Sequence, residues 1–222
     1  MSLQARSRST DEMKEISELL RKDEARLRSK ALFGEADGSL SMRIPGHRAC
    51  LLVLTGSDEQ RWVPFETMGN EAAGLHAAIY RSRHDAGAIL VGRTPWSSAL
   101  SNIGATIPTL FDEQARHIGV IGRPIAVGRP ARLYSALEGG ANVLIYGDQR
   151  ICLGTTANRV VFNAELFEKC AKAFVVALAS GDRIRRVPSW ASYIARGRMH
   201  RDRKRAAESY ARGHIPKGMD AY

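Results

Sequence analysis

The sequence predicts an α/β domain whose strands are buried between helices. The stretch Glu71–Leu100 contains a helical pattern, then a short apolar run, then a turn that begins a second helix. Before it, Ser39–Ile44 and Ala49–Leu54 have the pattern of two strands separated by a Pro-Gly turn, which predicts antiparallel pairing. A chain of 222 residues with 44% hydrophobic content is long enough to bury one substantial core.

The first predicted element is a helix that begins at Ser9. Ser9 and Glu12 have the spacing of a capping box, and apolar residues recur after them at helical intervals. Residues 1–8 precede this start and are expected to be disordered. A third short strand is predicted at Arg61–Phe65, directly before the central stretch.

The central stretch passes from helix to strand and back to helix. Between Glu71 and Arg83, apolar residues recur at the spacing of one helix face, and Gly87 ends that helix. Ala88–Val91 is a continuous apolar run, which is typical of a strand covered on both faces. Thr94-Pro95 opens the next helix, because threonine is a good cap and proline fits the first turn.

The second half of the chain continues the alternation of helices and strands. A helix is predicted at Leu110–His117 and a strand–turn–strand unit at Gly119–Val127. The remaining predicted elements are a helix at Ala131–Glu138, strands at Val143–Tyr146 and Ile151–Leu153, and a long helix at Val161–Leu178. The main domain is therefore assigned to residues 9–180.

Residues 181–222 form a basic C-terminal extension. They contain 11 Lys and Arg against 4 Asp and Glu, so 11 − 4 = +7 of the net charge of +10 lies there. Such a segment binds nucleic acid in some proteins and is a solvated helix in others. No helix-turn-helix or zinc-finger pattern accompanies it, so nucleic acid is not the expected partner. We expect the extension to pack on the domain or on a neighbouring subunit.

Composition and motifs exclude several other classes. No apolar run reaches the length of a membrane span and the polar start is no secretory signal, so we expect no membrane association. Three widely spaced cysteines predict no disulfide framework, which fits a cytoplasmic location. The sequence has no GxGxxG, P-loop or GxSxG motif, and dinucleotide binding, P-loop and serine-hydrolase chemistry are therefore not expected.

Four stretches of the sequence resemble one known family. They are HAAIYRSRHDAGAIL and TPWSSAL in the central stretch, FDEQARHIG at Phe111–Gly119, and ANVLIYGDQRICLG at Ala141–Gly154. These stretches are similar to the class II aldolase/adducin family, which includes fuculose-phosphate aldolase and ribulose-phosphate epimerase. The resemblance implies a three-layer α/β/α domain around a central, mostly antiparallel sheet. It also implies a homo-oligomer, commonly a tetramer, with sites between neighbouring subunits.

The chain departs from this family at the metal site. The family's metal-binding His-Thr-His falls on Val91-Gly92-Arg93, its third histidine falls on Asp148, and only the acidic residue, Glu71, is retained. Zinc takes three or four histidine, cysteine or carboxylate ligands, whereas valine cannot ligate and a guanidinium repels a metal ion. We therefore predict no catalytic metal and no other cofactor.

Arg93, Asp148 and Glu71 are the candidate catalytic residues. We expect them to form an ionic cluster where the metal sits in relatives, since two buried carboxylates facing each other need a cation. The guanidinium offers paired N–H donors to an enolate or carboxylate oxygen, and Glu71 is the candidate general base or acid. If Arg93 and Asp148 pair there, Arg93→Ala is expected to destabilise the fold as well as to abolish activity, because it leaves the carboxylates unpaired.

Substrate contacts are expected from three turns and one aromatic side chain. The resemblance implies that these turns surround a phosphate group, but ordinary tight turns explain the same residues equally well, and a carboxylate fits as well as a phosphate. The candidate substrate-binding residues are Ser39, Thr55, Gly56, Gly69, Asn70 and, as an apolar wall, Trp96.

These expectations favour a metal-independent lyase of the class II aldolase type. The reaction would be aldol cleavage, decarboxylation or a related enolisation, and the substrate a small oxygenated carboxylic acid or carbonyl compound. The name of the family also includes adducin, a non-catalytic member. A ligand-binding or assembly protein on the same fold is therefore a second interpretation, because fold does not determine function.

Overall fold

The computed structural model describes residues 3–34, 36–69, 71–181 and 183–218. The helices are α1 (Leu3–Ser29), α2 (Ala72–Ser82), α3 (Pro95–Ile103), α4 (Pro130–Glu138), α5 (Ala157–Ser180) and α6 (Ser189–Ala211), with a π-helical turn at Gln114–Ile118. The strands are β1 (Ser39–Arg43), β2 (Ala49–Leu54), β3 (Arg61–Pro64), β4 (Ala88–Arg93), β5 (Val143–Tyr146) and β6 (Gln149–Gly154). Within these residues, no helix has the length and apolar character that a bilayer crossing needs.

The strands form one sheet in the order β3-β2-β1-β4-β6-β5, with every neighbouring pair antiparallel. β1 pairs with β2 as the sequence predicts, and its other edge pairs with β4, so that Ser39 lies opposite Val91. On the far side of β4, Arg93 lies opposite Gln149 of β6. β4 lies in the middle of the sheet. Its first residue, Ala88, and its last residue, Arg93, therefore mark the two ends of the sheet along the strand direction.

Helices cover both faces of the sheet. Successive residues of a strand point to opposite faces, and accordingly Leu90 of β4 belongs to one core cluster and Ile89 to the other. The first cluster includes Leu20 of α1 and Phe167 of α5, and the second includes Tyr80 of α2. The predicted three-layer α/β/α domain with an antiparallel central sheet is confirmed.

The N-terminal helix is longer than the sequence predicts. α1 begins at Leu3, six residues before the start predicted at Ser9, and the disorder expected for residues 1–8 stays a prediction. Leucine, glutamine, alanine and arginine have high helix propensity, which gives this extension a physical reason.

The segment Gly119–Val127 contains no paired strands, so the predicted strand–turn–strand is wrong. Its backbone makes isolated bridges instead, from Ile121 to Ile107 and from Ile125 to Tyr146. Gly119 adopts a positive φ of 77°, and Pro124 lacks the N–H group that a continuous ladder requires. Local turn chemistry therefore prevails over the apolar alternation.

α6 packs against the domain through its second half. The Tyr210 hydroxyl donates a hydrogen bond to the Thr155 carbonyl at 2.9 Å, and Arg203 Nε donates to Asp85 Oδ2 at 3.1 Å. Any side chain at position 87 would collide with the Tyr210 hydroxyl, so Gly87 permits this docking as well as ending the preceding helix. Trp190, in the first turn of α6, remains 68% exposed.

Candidate active site

The structure brings Arg93 and Asp148 together at one end of the sheet. Arg93 is the last residue of β4, and Asp148 lies in the turn between β5 and β6, next to Gln149. The Arg93 Nε atom lies 2.7 Å from Asp148 Oδ2, which is the distance of an ion pair. The ion pair expected from the sequence is therefore present.

Asp37 is a second carboxylate partner of Arg93 that the sequence analysis missed. Its Oδ2 lies 3.2 Å from Arg93 Nη2. The strand register explains the contact. Since Ser39 lies opposite Val91 in an antiparallel pair, the residue two before Ser39 reaches the residue two after Val91. We call Asp37, Arg93 and Asp148 the arginine centre.

The arginine centre is half exposed, which corrects the expectation of a buried cluster. The side chains of Arg93, Asp148 and Asp37 are 50%, 47% and 43% exposed. Water screens such charges, and ion pairs at this exposure contribute about 0–1 kcal/mol to stability. The centre is thus accessible to a small molecule, and it is not a structural element that the fold depends on.

Glu71 does not join the arginine centre in the way we predicted. It is the N-cap residue of α2, is exposed, and makes no side-chain capping hydrogen bond. Among the described residues, no ion pair links Glu71 to Arg93. A carboxylate at a helix N-terminus is favoured by the helix dipole, which is a sufficient reason for its place there.

A buried network supports the arginine centre from below. Arg150, which pairs with Gly92 across β4 and β6, is fully buried, and its Nη1 atom lies 2.9 Å from Glu168 Oε1. The same oxygen accepts a hydrogen bond from the Thr94 hydroxyl at 2.6 Å, and Arg150 Nη2 donates to the Leu32 carbonyl. This network fixes the chain directly after Arg93 and the segment that leads to Asp37.

The start of α3 holds Asp148 from the other side. Thr94 and Ser97 form a reciprocal capping box, and the Ser97 hydroxyl also lies 2.9 Å from the Asp148 carbonyl oxygen. Trp96 follows the cap, is partly buried, and packs against the core cluster of α1, α3 and α5. Its role as an apolar wall stays a prediction.

The turns predicted to bind substrate are placed differently from one another. Thr55 donates its backbone N–H to the Gly38 carbonyl at 2.7 Å, which joins two of the turns. Gly56 and Gly69 are exposed and have positive φ values of 77° and 118°. Asn70 lies outside the described residues. These positions leave an anion site and ordinary turn chemistry equally open.

Ser39 is in the core and does not present an open hydroxyl, which differs from the substrate contact expected. It is 2% exposed, and its Oγ lies 2.9 Å from His76 Nε2. The other ring nitrogen, Nδ1, lies 2.6 Å from Ser41 Oγ. Complete burial lowers the pKa of His76 to about 3, so the imidazole is neutral and structural.

Burial of His76 predicts a loss of stability at mildly acidic pH. The unfolded chain takes up a proton near the ordinary histidine pKa of about 6.5, while the folded chain does so only near pH 3. Stability is therefore lost as pH falls below about 6.5, by about 3 kcal/mol from this residue at pH 4. The free energy of unfolding in urea, measured across this range, checks the slope.

The matched variant for this measurement is His76→Gln, which keeps hydrogen-bonding groups and removes the titration. Its stability should fall less steeply with acid than that of the wild type, whatever its stability at neutral pH. Burial, and after it the charges of Arg159 and Arg116, lower the pKa of His117 to about 4. His117 therefore still contributes a residual slope to the pH curve of the variant. Parallel pH curves for both proteins would contradict the assignment.

The residues that the resemblance places at the family's metal position do not fit a metal ion. Val91 is a buried apolar side chain and Arg93 is a cation already paired with two carboxylates. Within the described ranges, no group of three or more His, Cys, Asp or Glu side chains has the arrangement of a metal site. A dication beside a guanidinium is disfavoured by charge, so we derive no step through a metal.

Comparisons with known proteins identify the fold. The profile of the class II aldolase and adducin N-terminal domain matches residues 30–175. No curated protein matches the sequence significantly.

Three solved structures illustrate the similarity. L-fuculose 1-phosphate aldolase has a TM-score of 0.71 and 14% identity over 84% of this chain and 96% of its own. YgbL from Escherichia coli has a TM-score of 0.67 and 19% identity over 82% and 98%. An aldolase II superfamily protein from Pseudomonas syringae has a TM-score of 0.64 and 16% identity over 90% and 94%. Identities this low show a shared fold, and the profile match shows that the chain belongs to the class II aldolase/adducin family.

Proposed function

We propose that the chain is a metal-independent lyase of the class II aldolase type that acts on a small oxygenated compound through an enolate. The observation that carries the proposal is the arginine centre, which puts an accessible guanidinium at the end of β4 where relatives are expected to hold a metal. Aldol cleavage, decarboxylation and enolisation share one requirement, which is stabilisation of negative charge on an enolate oxygen.

Arg93 is the proposed electrophile. Its Nη2 and Nε atoms form the closest contacts with Asp37 and Asp148, and these two ion pairs restrain the guanidinium. Nη1 is not the closest contact of either ion pair, and we assign it to the substrate oxygen. When a C–H or C–C bond next to the carbonyl breaks, its electron pair moves to the oxygen that Arg93 holds.

The proton goes to a carboxylate, and the chain offers two candidates. Glu71 is the base predicted from the sequence, and Asp37 is the carboxylate that the structure adds beside Arg93. Solvent-deuterium exchange by Glu71→Gln and Asp37→Asn distinguishes them, because only the base is needed for proton removal. The two carboxylates around Arg93 repel a further anion. We therefore expect the substrate group that binds Arg93 to be a neutral carbonyl group and not a carboxylate.

Assembly into a homo-oligomer, with sites completed by a neighbouring subunit, is part of this proposal. Trp190, Tyr193 and Ile194 near the start of α6 are 68%, 80% and 53% exposed. Aromatic side chains exposed on one helix are typical of a protein–protein contact. The family's assembly suggests a tetramer.

A second candidate function is a non-catalytic ligand-binding or assembly role. The observation in its favour is that both carboxylates already satisfy Arg93 in a chain without substrate. Ion pairs of this kind also occur in structural networks, and perturbed charges alone do not prove catalysis.

Solvent-deuterium exchange separates the two functions. The purified protein is incubated in heavy water with dihydroxyacetone, glycolaldehyde or pyruvate, and loss of the C–H proton signal next to the carbonyl is followed by NMR. An enolising enzyme should accelerate exchange with at least one probe above the buffer rate. No acceleration with any of them, combined with thermal stabilisation by one of the same compounds, would favour the binding role.

A further inference from the structure

A basic cleft of about 440 Å³ opens at the end of the sheet opposite Arg93. β4 separates the two ends by roughly 17 Å at the usual rise of a strand. Arginine and histidine side chains line the cleft, and none of the described residues that line it is acidic. We define the basic cleft by Arg43, His47, Arg48, Arg81, His84 and Tyr210. Its volume is that of a small-molecule site.

Arg43 is the buried cation at the base of the cleft. It is only 9% exposed, and its Nε and Nη2 atoms donate to the carbonyls of Ala86 at 2.7 Å and Arg83 at 3.1 Å. Its guanidinium lies over the rings of Tyr80 and Tyr210, at 4.9 and 5.3 Å. Among the described residues, Arg43 has no carboxylate partner, and its Nη1 atom has no hydrogen bond.

The nearest buried carboxylate is already shared by two other arginines. Arg83 binds Asp85 through two hydrogen bonds of 2.8 and 2.7 Å, and Arg203 adds a contact of 3.1 Å. Burial raises the pKa of Asp85, but the two arginines outweigh this effect and lower that pKa to about 2. Two guanidiniums therefore share this carboxylate, and Arg43 is attracted to it only at longer range. Burial accordingly lowers the pKa of Arg43, which indicates a charge that lacks full compensation.

The rim of the cleft adds two further arginines, of which Arg48 can reach a ligand. Arg48 is 72% exposed and pairs with Glu66, which is 62% exposed, so this ion pair is weak and easily exchanged. Arg81 is held by the backbone carbonyls of Phe65 and Thr67. A guanidinium matches the oxygen geometry of phosphate better than a point charge does.

We propose that the basic cleft binds the phosphate group of a small phosphorylated molecule. A phosphate dianion offers three acceptor oxygens and the negative charge that Arg43 lacks, and it can displace Glu66 from the exposed pair with Arg48. The surrounding rings of Tyr80 and Tyr210 exclude water, which strengthens such contacts. Tyr210 comes from α6, beyond the residues 30–175 that match the family profile. The site thus depends on the C-terminal extension, and it is separate from the arginine centre.

Calorimetric titration of inorganic phosphate into the full chain, in a low-salt buffer free of other multivalent anions, tests this proposal. The probe variant is Arg48→Gln, because Arg43 supports the core and its removal endangers folding. The matched control is Arg61→Gln, an arginine that is 54% exposed and pairs with Glu59 away from the cleft. Arg93→Ala reports on the arginine centre.

We expect Arg48→Gln to weaken phosphate binding at least tenfold, while Arg61→Gln and Arg93→Ala bind like the wild type. Ala207→Glu, which introduces a carboxylate into the cleft from α6, should abolish binding. Absence of phosphate binding to the wild type, or equal binding by Arg48→Gln and Arg61→Gln, overturns the proposal. Loss of binding in Arg93→Ala alone would place the phosphate at the arginine centre, and would overturn this proposal without affecting the lyase assignment.

Discussion

Replacing Arg93 by alanine is expected to lower the rate of substrate deuterium exchange by about 10²- to 10³-fold, the usual cost of losing one donor to a developing oxyanion. The physical reason is that the guanidinium is the group proposed to hold the enolate oxygen. Folding should hardly change, because both ion pairs of Arg93 are half exposed and together contribute about 1 kcal/mol or less.

The control for this prediction is Arg61→Ala, which removes another half-exposed arginine together with its ion pair to Glu59. Exchange rates and urea unfolding should be measured on both variants. Arg61→Ala should retain the wild-type exchange rate. Equal exchange rates in wild type and Arg93→Ala would remove Arg93 from the mechanism. A loss of stability above about 3 kcal/mol would show that the arginine centre acts as a buried structural pair.

Replacing Arg150 by alanine is expected to cost about 3–5 kcal/mol of unfolding free energy, the typical effect of breaking a buried ion pair. Arg150 is 0% exposed, and its removal leaves Glu168 without its cation and the Leu32 carbonyl without its donor. Because this network fixes Thr94, the arginine centre should also lose its geometry. Unfolding in guanidinium chloride measures the loss of stability. The exchange assay on the folded fraction measures the effect on the arginine centre.

Two further variants make the Arg150 prediction specific. Arg26→Ala removes an exposed partner of Glu165, which lies on α5 like Glu168, and should cost about 1 kcal/mol or less. The double variant Arg150→Met/Glu168→Gln replaces both charges and should recover part of the loss, since an unpaired buried charge is the main cost. An Arg150→Ala protein as stable as Arg26→Ala would contradict the buried role.

Much of the fold could be predicted from the sequence because its signals are local. The apolar run at Ala88–Val91 and the Thr94-Pro95 cap placed β4 and α3 within two or three residues of their observed positions. The strand–turn–strand prediction at Gly119–Val127 failed because apolar alternation does not reveal whether partner strands exist. The start of α1 at Leu3 was missed because a good capping sequence at Ser9 lies inside a stretch of high helix propensity.

The candidate site was predictable only in part. The family resemblance places Arg93 and Asp148 at two ligand positions of one metal site, so their contact could be anticipated. Asp37 depends on the register between β1 and β4, which the sequence alone does not specify. In the sequence, Arg150 has the appearance of an ordinary turn residue. Its burial depends on pairing with Glu168, which lies eighteen residues further along the chain. The sequence also could not show that the arginine centre is half exposed, since its exposure depends on how neighbouring loops lie.

Calorimetric titration of zinc into the metal-stripped protein tests the central claim most directly, namely that Arg93 occupies the position of the family's metal. The measurement needs no substrate and no assumption about the reaction. We expect no stoichiometric binding, because Val91 cannot ligate and the guanidinium repels a dication. Tight binding of one zinc ion per chain, lost in Asp148→Asn, would contradict it and return the chain to metal-assisted chemistry.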